Sequence, residues 1–319
     1  MIFDVPLLLL AAGSEATAGT YVSLLVIGLG LLALLYVSIK AIEVDRRVIF
    51  LFIFLSVSVP ILFPITFEEQ ATPVVKRAFD HIENLPEGSR VLLSFDFDPA
   101  MAPEVQPMAD AIMRHALAKN HKVIFMSLWA TGQGLLDQTM RRILPVEFPD
   151  KIDGRDYVSV GYTAGNEGVL NVIVSDFKKM FPSDVNSVPL DSIEIFEGVS
   201  SCRDLDLVVT FGGGKPGAKE WVLFVGDRAS VPVAVGVAAV VAPQMYPYFP
   251  DQVVGILGGI KGAAEYESEL IKQYPQFAER GTPGLVMMGP QTLAHVVIIA
   301  FIVFGNVAYF VGRRREMKR

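Results

Sequence analysis

Cysteine is almost absent from this chain of 319 residues, in which Cys202 is the only one. A single thiol excludes an intramolecular disulfide, so a folded domain has to be stabilised by its own buried core. A small packed side chain is the expected role of Cys202, and a redox or intermolecular role is the alternative.

Histidine is also scarce, and complete catalytic motifs are missing. The four histidines are His81, His115, His121 and His295. They show no paired spacing suited to metal binding. The chain lacks the G-x-S-x-G turn of hydrolases, FGGGKPG lacks the residue order of a P-loop, and GYTAGNEG lacks the spacing of a dinucleotide fingerprint. We therefore expect no metal and no cofactor, and the sequence leans away from an enzyme.

Charge is missing from three long apolar runs, residues 21–41, 48–66 and 293–311, apart from Lys40 at the end of the first. About 20 helical residues cross a hydrocarbon core of about 30 Å, so each run is long enough to span a membrane. No acidic or basic relay crosses the runs, which argues against a pump or channel acting alone. Asn306 is the one strongly polar side chain deep in a run, and an inter-helix hydrogen bond is its simplest role.

Two arginine clusters predict how these runs are oriented. Arg46 and Arg47 lie between the first two runs, and Arg313, Arg314 and Arg315 follow the third. Basic residues next to membrane spans stay in the cytoplasm. The long segment between the second and third runs is therefore predicted to lie outside it.

The predicted layout is that of a multi-pass protein of the inner or plasma membrane, with its C-terminus in the cytoplasm. Its four parts are an extracytoplasmic or interfacial segment (1–20), two transmembrane helices with a cytoplasmic loop at 42–47 (21–66), an extracytoplasmic domain (67–289), and a last transmembrane helix with a basic tail (290–319). The apolar stretch near the N-terminus is too short to span, and it lacks the positive start of a signal peptide.

Acidic groups dominate the predicted extracytoplasmic domain. Of the 27 Lys and Arg and the 34 Asp and Glu, 8 and 5 lie outside residues 67–289, which leaves 19 basic and 29 acidic groups inside. Such a domain is a poor partner for nucleic acid, because phosphate contacts need clustered cations. The expected partners are the lipid bilayer, further copies of the chain and other membrane subunits.

Short apolar runs alternate with helical stretches inside this domain. The strand-like runs are 91–95, 122–126, 157–160, 205–210, 221–225 and 231–241, and the predicted helices include 103–119, 134–144, 168–180 and 251–271. This alternation favours a mainly parallel sheet with helices on both faces, a Rossmann-like three-layer α/β domain.

Ligands of such sheets bind at the carboxyl ends of the strands, near a topological switch point. The residues expected at those ends are Asp96, Asp98, Ser127, Gly165, Asn166, Gly212, Gly213 and Gly214. Free N–H groups at the start of the helix that follows Gly165 suit an anion. The alternative is that the glycines serve only the backbone geometry of strand-to-helix turns.

Three short motifs resemble the haloacid-dehalogenase-type phosphohydrolases. They are an apolar strand that ends in Asp96-x-Asp98, a later strand that ends in Ser127, and a run that ends in Gly226-Asp227. The resemblance implies a nucleophile at Asp96, an acid/base at Asp98, a phosphate ligand at Ser127, and Mg²⁺ held by a late acidic pair.

The chain departs from that family at two places. Pro99 and Ala100 stand where a Thr-bearing turn is expected, and Val231 stands where a second late acid is expected. Without that acid, Mg²⁺ lacks a ligand that it normally needs. The alternative role of Asp98 is to accept backbone hydrogen bonds at the turn before the next helix.

Two neighbouring segments suggest packing contacts. Small residues recur at intervals of four in the predicted helix 251–271, and the glycines concerned are Gly255, Gly258, Gly259 and Gly262. They let another backbone approach closely, either the domain's own sheet or a helix of another subunit. Just before them, Tyr246, Tyr248 and Phe249 stand among three prolines. Burial under the domain, membrane contact and partner contact are all open for these rings.

The leading hypothesis is a membrane-anchored, non-catalytic subunit or scaffold of a larger envelope complex, with protein–protein and homo-oligomeric contacts made by the extracytoplasmic domain. The alternative is a small-ligand, anion-binding or phosphohydrolase-like site at the strand ends. A third reading is a transport accessory that delivers a ligand to a separate channel.

Overall fold

The structure is a computed structural model that describes residues 28–30, 33, 36, 45–64, 69–280 and 282–317. The chain divides into two units, residues 69–277 and the two terminal segments together. Predictions for residues 1–20, and for most of the first apolar run, lie outside the described residues.

The helices and strands follow one another in this order: α1 Arg46–Leu62, α2 Pro73–Asn84, β1 Arg90–Asp96, α3 Ala102–Ala118, β2 Lys122–Ser127, α4 Ala130–Glu147, β3 Tyr157–Tyr162, α5 Glu167–Ile173, α6 Phe177–Met180, β4 Leu207–Gly212, α7 Ala218–Trp221, α8 Asp227–Ala229, β5 Val233–Val237, α9 Ala242–Met245, β6 Val253–Gly258, α10 Gly259–Gln273 and α11 Pro283–Glu316. Short 3₁₀ turns connect several of them, and a π-helical turn, Val222–Gly226, joins α7 to α8.

The six strands of the α/β unit form one parallel sheet in the order β3-β2-β1-β4-β5-β6. In its centre, Val91 of β1 pairs with Val123 of β2 on one side and with Leu207 of β4 on the other. The predicted parallel, Rossmann-like sheet is therefore confirmed. Every residue of β1 after Arg90 is buried, as expected for a strand covered on both faces.

Two apolar cores cover the two faces of the sheet. The core beneath α2, α3, α4 and α10 contains Phe95, Phe125 and Phe211. The core on the opposite face contains Leu92 and Trp221 and is covered by α5 to α9 and the short turns between them. The first two crossovers run on one face and the later ones on the other, so the chain changes face between the neighbouring strands β1 and β4.

Two predicted elements were wrong in type. The run 221–225 was expected as a strand, but it is helical, with Trp221, Val222 and Val225 buried along one side. Short apolar runs fit a buried strand and a buried helix equally well. The second error is the predicted helix 251–271, which contains strand β6 and begins its helix only at Gly259. Gly259 has a φ of +62°, which allows the sharp turn from strand to helix.

In the other unit, α1 packs against α11. The rings of Phe52 and Phe301 meet edge to face with centroids 6.2 Å apart, and Leu293 and Val297 are buried in the same contact. Asp45 caps the start of α1 by accepting a hydrogen bond from Arg47 N–H at 2.9 Å.

One helix in the described part of the chain is long and apolar enough to cross a membrane, over Pro283–Arg314. It corresponds to the predicted third span. Helix α1 has 17 residues and ends at Leu62, four residues before the predicted end of the second span. The structure thus supports one candidate membrane helix at the C-terminus, and does not support three transmembrane helices.

Candidate functional site

The carboxyl ends of the parallel strands lie at one edge of the sheet, and β1 and β4 meet there at the switch point. Asp96, the last residue of β1, pairs in register with Gly212, the last residue of β4. The predicted site residues Asp96, Ser127 and Gly212 are therefore neighbours, as expected for ends of adjacent parallel strands.

Asp96 is fully buried, and both of its carboxylate oxygens are occupied. Oδ1 accepts hydrogen bonds from the Ser94 hydroxyl at 2.7 Å and from Leu128 N–H at 2.8 Å. Oδ2 accepts from the Thr210 hydroxyl at 3.0 Å and from the indole Nε1–H of Trp221 at 2.7 Å. Two carboxylate oxygens offer about four acceptor sites, so these donors saturate the group. No lone pair remains for a substrate.

Burial raises the pKa of Asp96 to about 6, although its four hydrogen bonds act in the opposite direction. Desolvation destabilises the charged carboxylate, whereas donated hydrogen bonds stabilise it. The hydroxyls of Ser94 and Thr210 can also accept, so the network tolerates a protonated Asp96 with rearranged hydrogens.

Asp98 stabilises the turn that leads into α3. Its Oδ1 accepts hydrogen bonds from the backbone N–H groups of Ala100 at 3.0 Å and Met101 at 3.1 Å. This is the turn-capping role considered as the alternative for Asp98. The capped turn follows the first strand, where nucleotide-binding sheets of this order hold a phosphate. The carboxylate of Asp98 disfavours an anion at that position.

Ser127 is buried and bonded to the backbone around it. Its Oγ lies 2.6 Å from the carbonyl oxygen of Phe95 and 2.7 Å from that of Trp129, and it accepts from Trp129 N–H at 3.0 Å. A Cβ at the neighbouring Gly132 would overlap both Phe95 O and Ser127 Oγ. The hydroxyl therefore ties β2 and α4 to β1, and it is not presented to a phosphate.

Asp227 lies apart from Asp96 and Ser127, so the third motif of the phosphohydrolase resemblance does not contribute to the site. It is the first residue of α8, and its carboxylate accepts a hydrogen bond from Gln252 Nε2 at 2.7 Å. Gln252 directly precedes β6, so Asp227 lies towards the amino-terminal edge of the sheet. Asp96 and Asp227 cannot share a Mg²⁺ ion from opposite edges.

The loop before α5 contains Gly165 and Asn166, both exposed and both with positive φ, +144° and +49°. Helix α5 has only seven residues and offers little of the dipole that favours an anion. An ion pair of 3.1 Å between Glu167 and Lys215 links this loop to the one after β4. The two predicted glycine loops are therefore adjacent at the strand ends.

The loop after β4 closes against Trp129. The indole Nε1–H of Trp129 donates to Pro216 O at 2.7 Å, and a side chain at Gly214 would overlap the indole ring. Gly213 similarly lies against Met101, where a Cβ would be 3.0 Å from the sulfur. Close packing explains these two glycines, as it does Gly212, where a Cβ would collide with the backbone of Asp96.

The predicted contact glycines pack within the domain itself. Gly255 lies against Ala78, Gly258 against Ala242, Gly259 against Ala239 and Gly262 against Leu257. The helical spacing on which an inter-subunit role was based does not exist, because Gly255 and Gly258 belong to β6. Their small size allows α2, α9 and α10 to approach the sheet.

The aromatic segment divides into buried and exposed parts. Tyr248 and Phe249 are half-buried against the domain's own core, and the guanidinium of Arg77 lies 5.5 Å from the centroid of the Phe249 ring. Tyr246 remains 53% exposed. Of the three rings, Tyr246 is the one available to a partner.

A buried polar network on the helices was not predicted. His115 Nδ1 lies 2.6 Å from the Tyr266 hydroxyl, and its Nε2 lies 2.8 Å from Glu83 Oε2. Tyr274 also donates to Glu83 at 2.9 Å. Burial lowers the pKa of His115 to about 4, so the neutral ring accepts from Tyr266 and donates to Glu83. The residues are far apart in sequence, and no local motif signals this link between α2, α3 and α10.

Cys202 is buried, and burial raises the pKa of its thiol well above the usual range. Within the described residues, no group of three or more His, Cys, Asp or Glu side chains is placed to hold a metal ion. No family model, no curated protein and no solved structure matches this chain. The sheet order occurs with many unrelated functions and assigns none by itself.

Proposed function

We propose that this chain is a membrane-anchored, non-catalytic subunit or scaffold of a larger envelope complex, with an extracytoplasmic α/β domain that makes protein–protein contacts. The observation that carries this proposal is the saturation of Asp96 at the switch point. The carboxylate of Asp96 is the most suitably placed one of the fold for a ligand. It accepts hydrogen bonds from Ser94, Leu128, Thr210 and Trp221. Asp98 and Ser127 are likewise committed to backbone groups.

The anchoring part of the proposal is three spans with the domain outside the cytoplasm. Helix α11 contains Arg313, Arg314 and Arg315 close to its C-terminal end, and α1 starts at Arg46 and Arg47. Basic residues at span ends favour the cytoplasmic side.

Topology is testable by labelling with a membrane-impermeant maleimide, because the native Cys202 is buried. We expect Val185→Cys, exposed in the domain, to react in intact cells or spheroplasts. Met317→Cys, exposed behind the basic cluster, should react only after permeabilisation. The reverse pattern would contradict the orientation.

The proposed partner surface includes Val240 and Tyr246, which are 81% and 53% exposed on either side of α9. An exposed aromatic ring and an exposed aliphatic side chain suit a protein interface, where Tyr is enriched. Both belong to the segment between β5 and β6, and β5 ends at the same edge of the sheet as Asp96.

Gentle extraction of the full chain from native membranes tests the contact. We expect the chain to migrate with stoichiometric partners or as an oligomer, and the double variant Val240→Ser, Tyr246→Ser to reduce that association. Ile152→Ser is the matched control, since Ile152 is 51% exposed but precedes β3 at the opposite edge. A monomer at every concentration, with nothing bound, would refute the scaffold proposal.

An anion site at the strand ends is the second candidate. Helix α4 has 18 residues and no side-chain cap, and it begins beside Trp129, which packs on the loop that contains Lys215. Inorganic phosphate should then change tryptophan fluorescence, and Lys215→Gln should weaken the response. Unchanged fluorescence at millimolar phosphate would exclude this candidate.

A further inference from the structure

Helix α11 carries a second line of side chains besides the one that packs on α1. The contact with α1 uses Leu293, Val297 and Phe301. The second line follows the spacing 3-4-3-4 and consists of Val296, Ile299, Val303, Asn306 and Phe310, all of them exposed. At about 100° per residue, Asn306 lies nearly opposite the side that faces α1.

We call the second line, from Val296 to Phe310, the seam. Exposure alone does not distinguish the seam, because lipid covers most of a membrane helix. Asn306 does distinguish it. Its Nδ2 donates to the carbonyl oxygen of Ile302 at 2.8 Å, and no further hydrogen bond of its amide is found among the described residues. One N–H and the side-chain carbonyl are left for another partner. A polar amide within the hydrocarbon region is costly unless another helix satisfies it.

The spacing of the seam is that of a left-handed helix pair. Residues separated alternately by three and four positions form the contact line of a heptad repeat. One polar residue in such a line sets the register and the number of helices. The seam has β-branched residues at three of its five positions, with Asn306 as its one polar member.

We propose that α11 pairs in parallel with α11 of a second copy of this chain through the seam Val296, Ile299, Val303, Asn306 and Phe310. Two identical chains in one membrane share their orientation, so their α11 helices run parallel. The two Asn306 side chains then meet at the same depth. An amide contains both a donor and an acceptor, so the two groups satisfy each other.

Gly30, a described residue of the first apolar run, lies against α1 and not on this seam. A side chain at Gly30 would overlap the ring of Phe52 of α1. Phe52 also contacts Phe301, on the side of α11 away from the seam. The pairing rests on α11 crossing the membrane, which is part of the proposed function.

Cysteine cross-linking in native membranes tests the pairing in the full chain, in a Cys202→Ala background. Ile299 lies on the seam and Ile302 lies off it, and both are 59% exposed on the same helix. Disulfides need Cα atoms within about 7 Å, so Ile299→Cys and Val303→Cys should give at least about five times more dimer than Ile302→Cys. Equal cross-linking at the three positions, or cross-linking only to another protein, would overturn the proposal.

Replacement of the amide gives an independent measure. Asn306→Leu should weaken dimerisation in lipid vesicles by about three- to tenfold, measured by energy transfer between labelled copies. Ile298→Leu, at an exposed position about 120° around the helix from the middle of the seam, should leave it unchanged. An unaltered dimer in Asn306→Leu would also overturn the proposal.

A carbonate wash separates failure of this pairing from failure of the anchor. A chain that is released by the wash refutes both the anchor and the pairing. A chain that is retained but shows no preference for the seam refutes the pairing alone.

Discussion

The indole of Trp221 donates a hydrogen bond of 2.7 Å to Asp96, across 125 positions of sequence, and both side chains are fully buried. Trp221 belongs to the helical segment after β4, and Asp96 ends β1. The bond therefore joins β1 to the helix layer above it, and Thr210 of β4 donates to the same carboxylate oxygen. At this switch point, where other sheets of this order bind ligands, a buried polar cluster surrounds Asp96.

Asp96→Asn should destabilise the protein by about 2–3 kcal/mol, because an amide nitrogen replaces one acceptor and leaves a donor such as Trp221 unpaired. For a domain of this size the melting temperature should fall by about 4–12 °C. The only tryptophans are Trp129 and Trp221, so intrinsic fluorescence of the full chain in detergent reports on this region. Asp98→Asn, in the half-exposed turn before α3, keeps an acceptor oxygen for the same N–H groups and should cost no more than about 0.5 kcal/mol. Equal falls in melting temperature in the two variants would contradict the role of Asp96 as a buried hydrogen-bond acceptor.

The pH dependence of Asp96 follows from its raised pKa of about 6, against 3.8 for the free group. The folded state holds this proton more tightly than the unfolded state. The stabilising contribution is complete below about pH 4 and is lost as the pH rises through 6, by about 3 kcal/mol in total. The difference in melting temperature between the native chain and Asp96→Asn should therefore shrink from pH 4 to pH 7. A constant difference would show that the pKa of Asp96 is not raised.

His115 should make the stability of the protein depend on pH in the opposite direction to Asp96, over a similar pH range. Its pKa is lowered from 6.5 to about 4, so the unfolded state takes up the proton first as the pH falls. The contribution of His115 is complete above about pH 6.5 and is lost as the pH falls towards 4, by about 3 kcal/mol. His115→Phe removes this titration, so its stability should change less steeply between pH 7 and pH 4. The same steep acid loss in His115→Phe would assign it to other groups.

Gly255→Ala should destabilise the domain by about 1–3 kcal/mol, since the new methyl group would collide with Ala78 of α2. Gly134→Ala is the matched control, because Gly134 is exposed in α4 and has nothing within 4 Å of the added carbon. There the substitution should stabilise the helix by about 0.5–1 kcal/mol. Thermal melts of both variants in detergent test this contrast. A harmless Gly255→Ala would show that β6 and α2 are not closely packed.

Local patterns predicted much of the fold and little of the site. Alternating apolar runs indicated the parallel sheet, and Asp98-Pro99 indicated a turn in which Asp98 accepts backbone hydrogen bonds. The same patterns misassigned residues 221–225, because five apolar residues fit a buried helix as well as a strand. Because residues 221–225 were predicted as a strand, the sequence did not indicate that Trp221 is a hydrogen-bond partner of Asp96.

The sequence by itself determined the covalent and compositional limits: one thiol, an acidic domain, three apolar runs and two arginine clusters. It also determined the parallel sheet, because runs buried on both faces have to be continuous and apolar. Only the tertiary structure decided that Asp96 is satisfied by Thr210 and Trp221, 114 and 125 positions away. Hydrogen bonds between such distant residues depend on how strands and helices are packed, which no local pattern records.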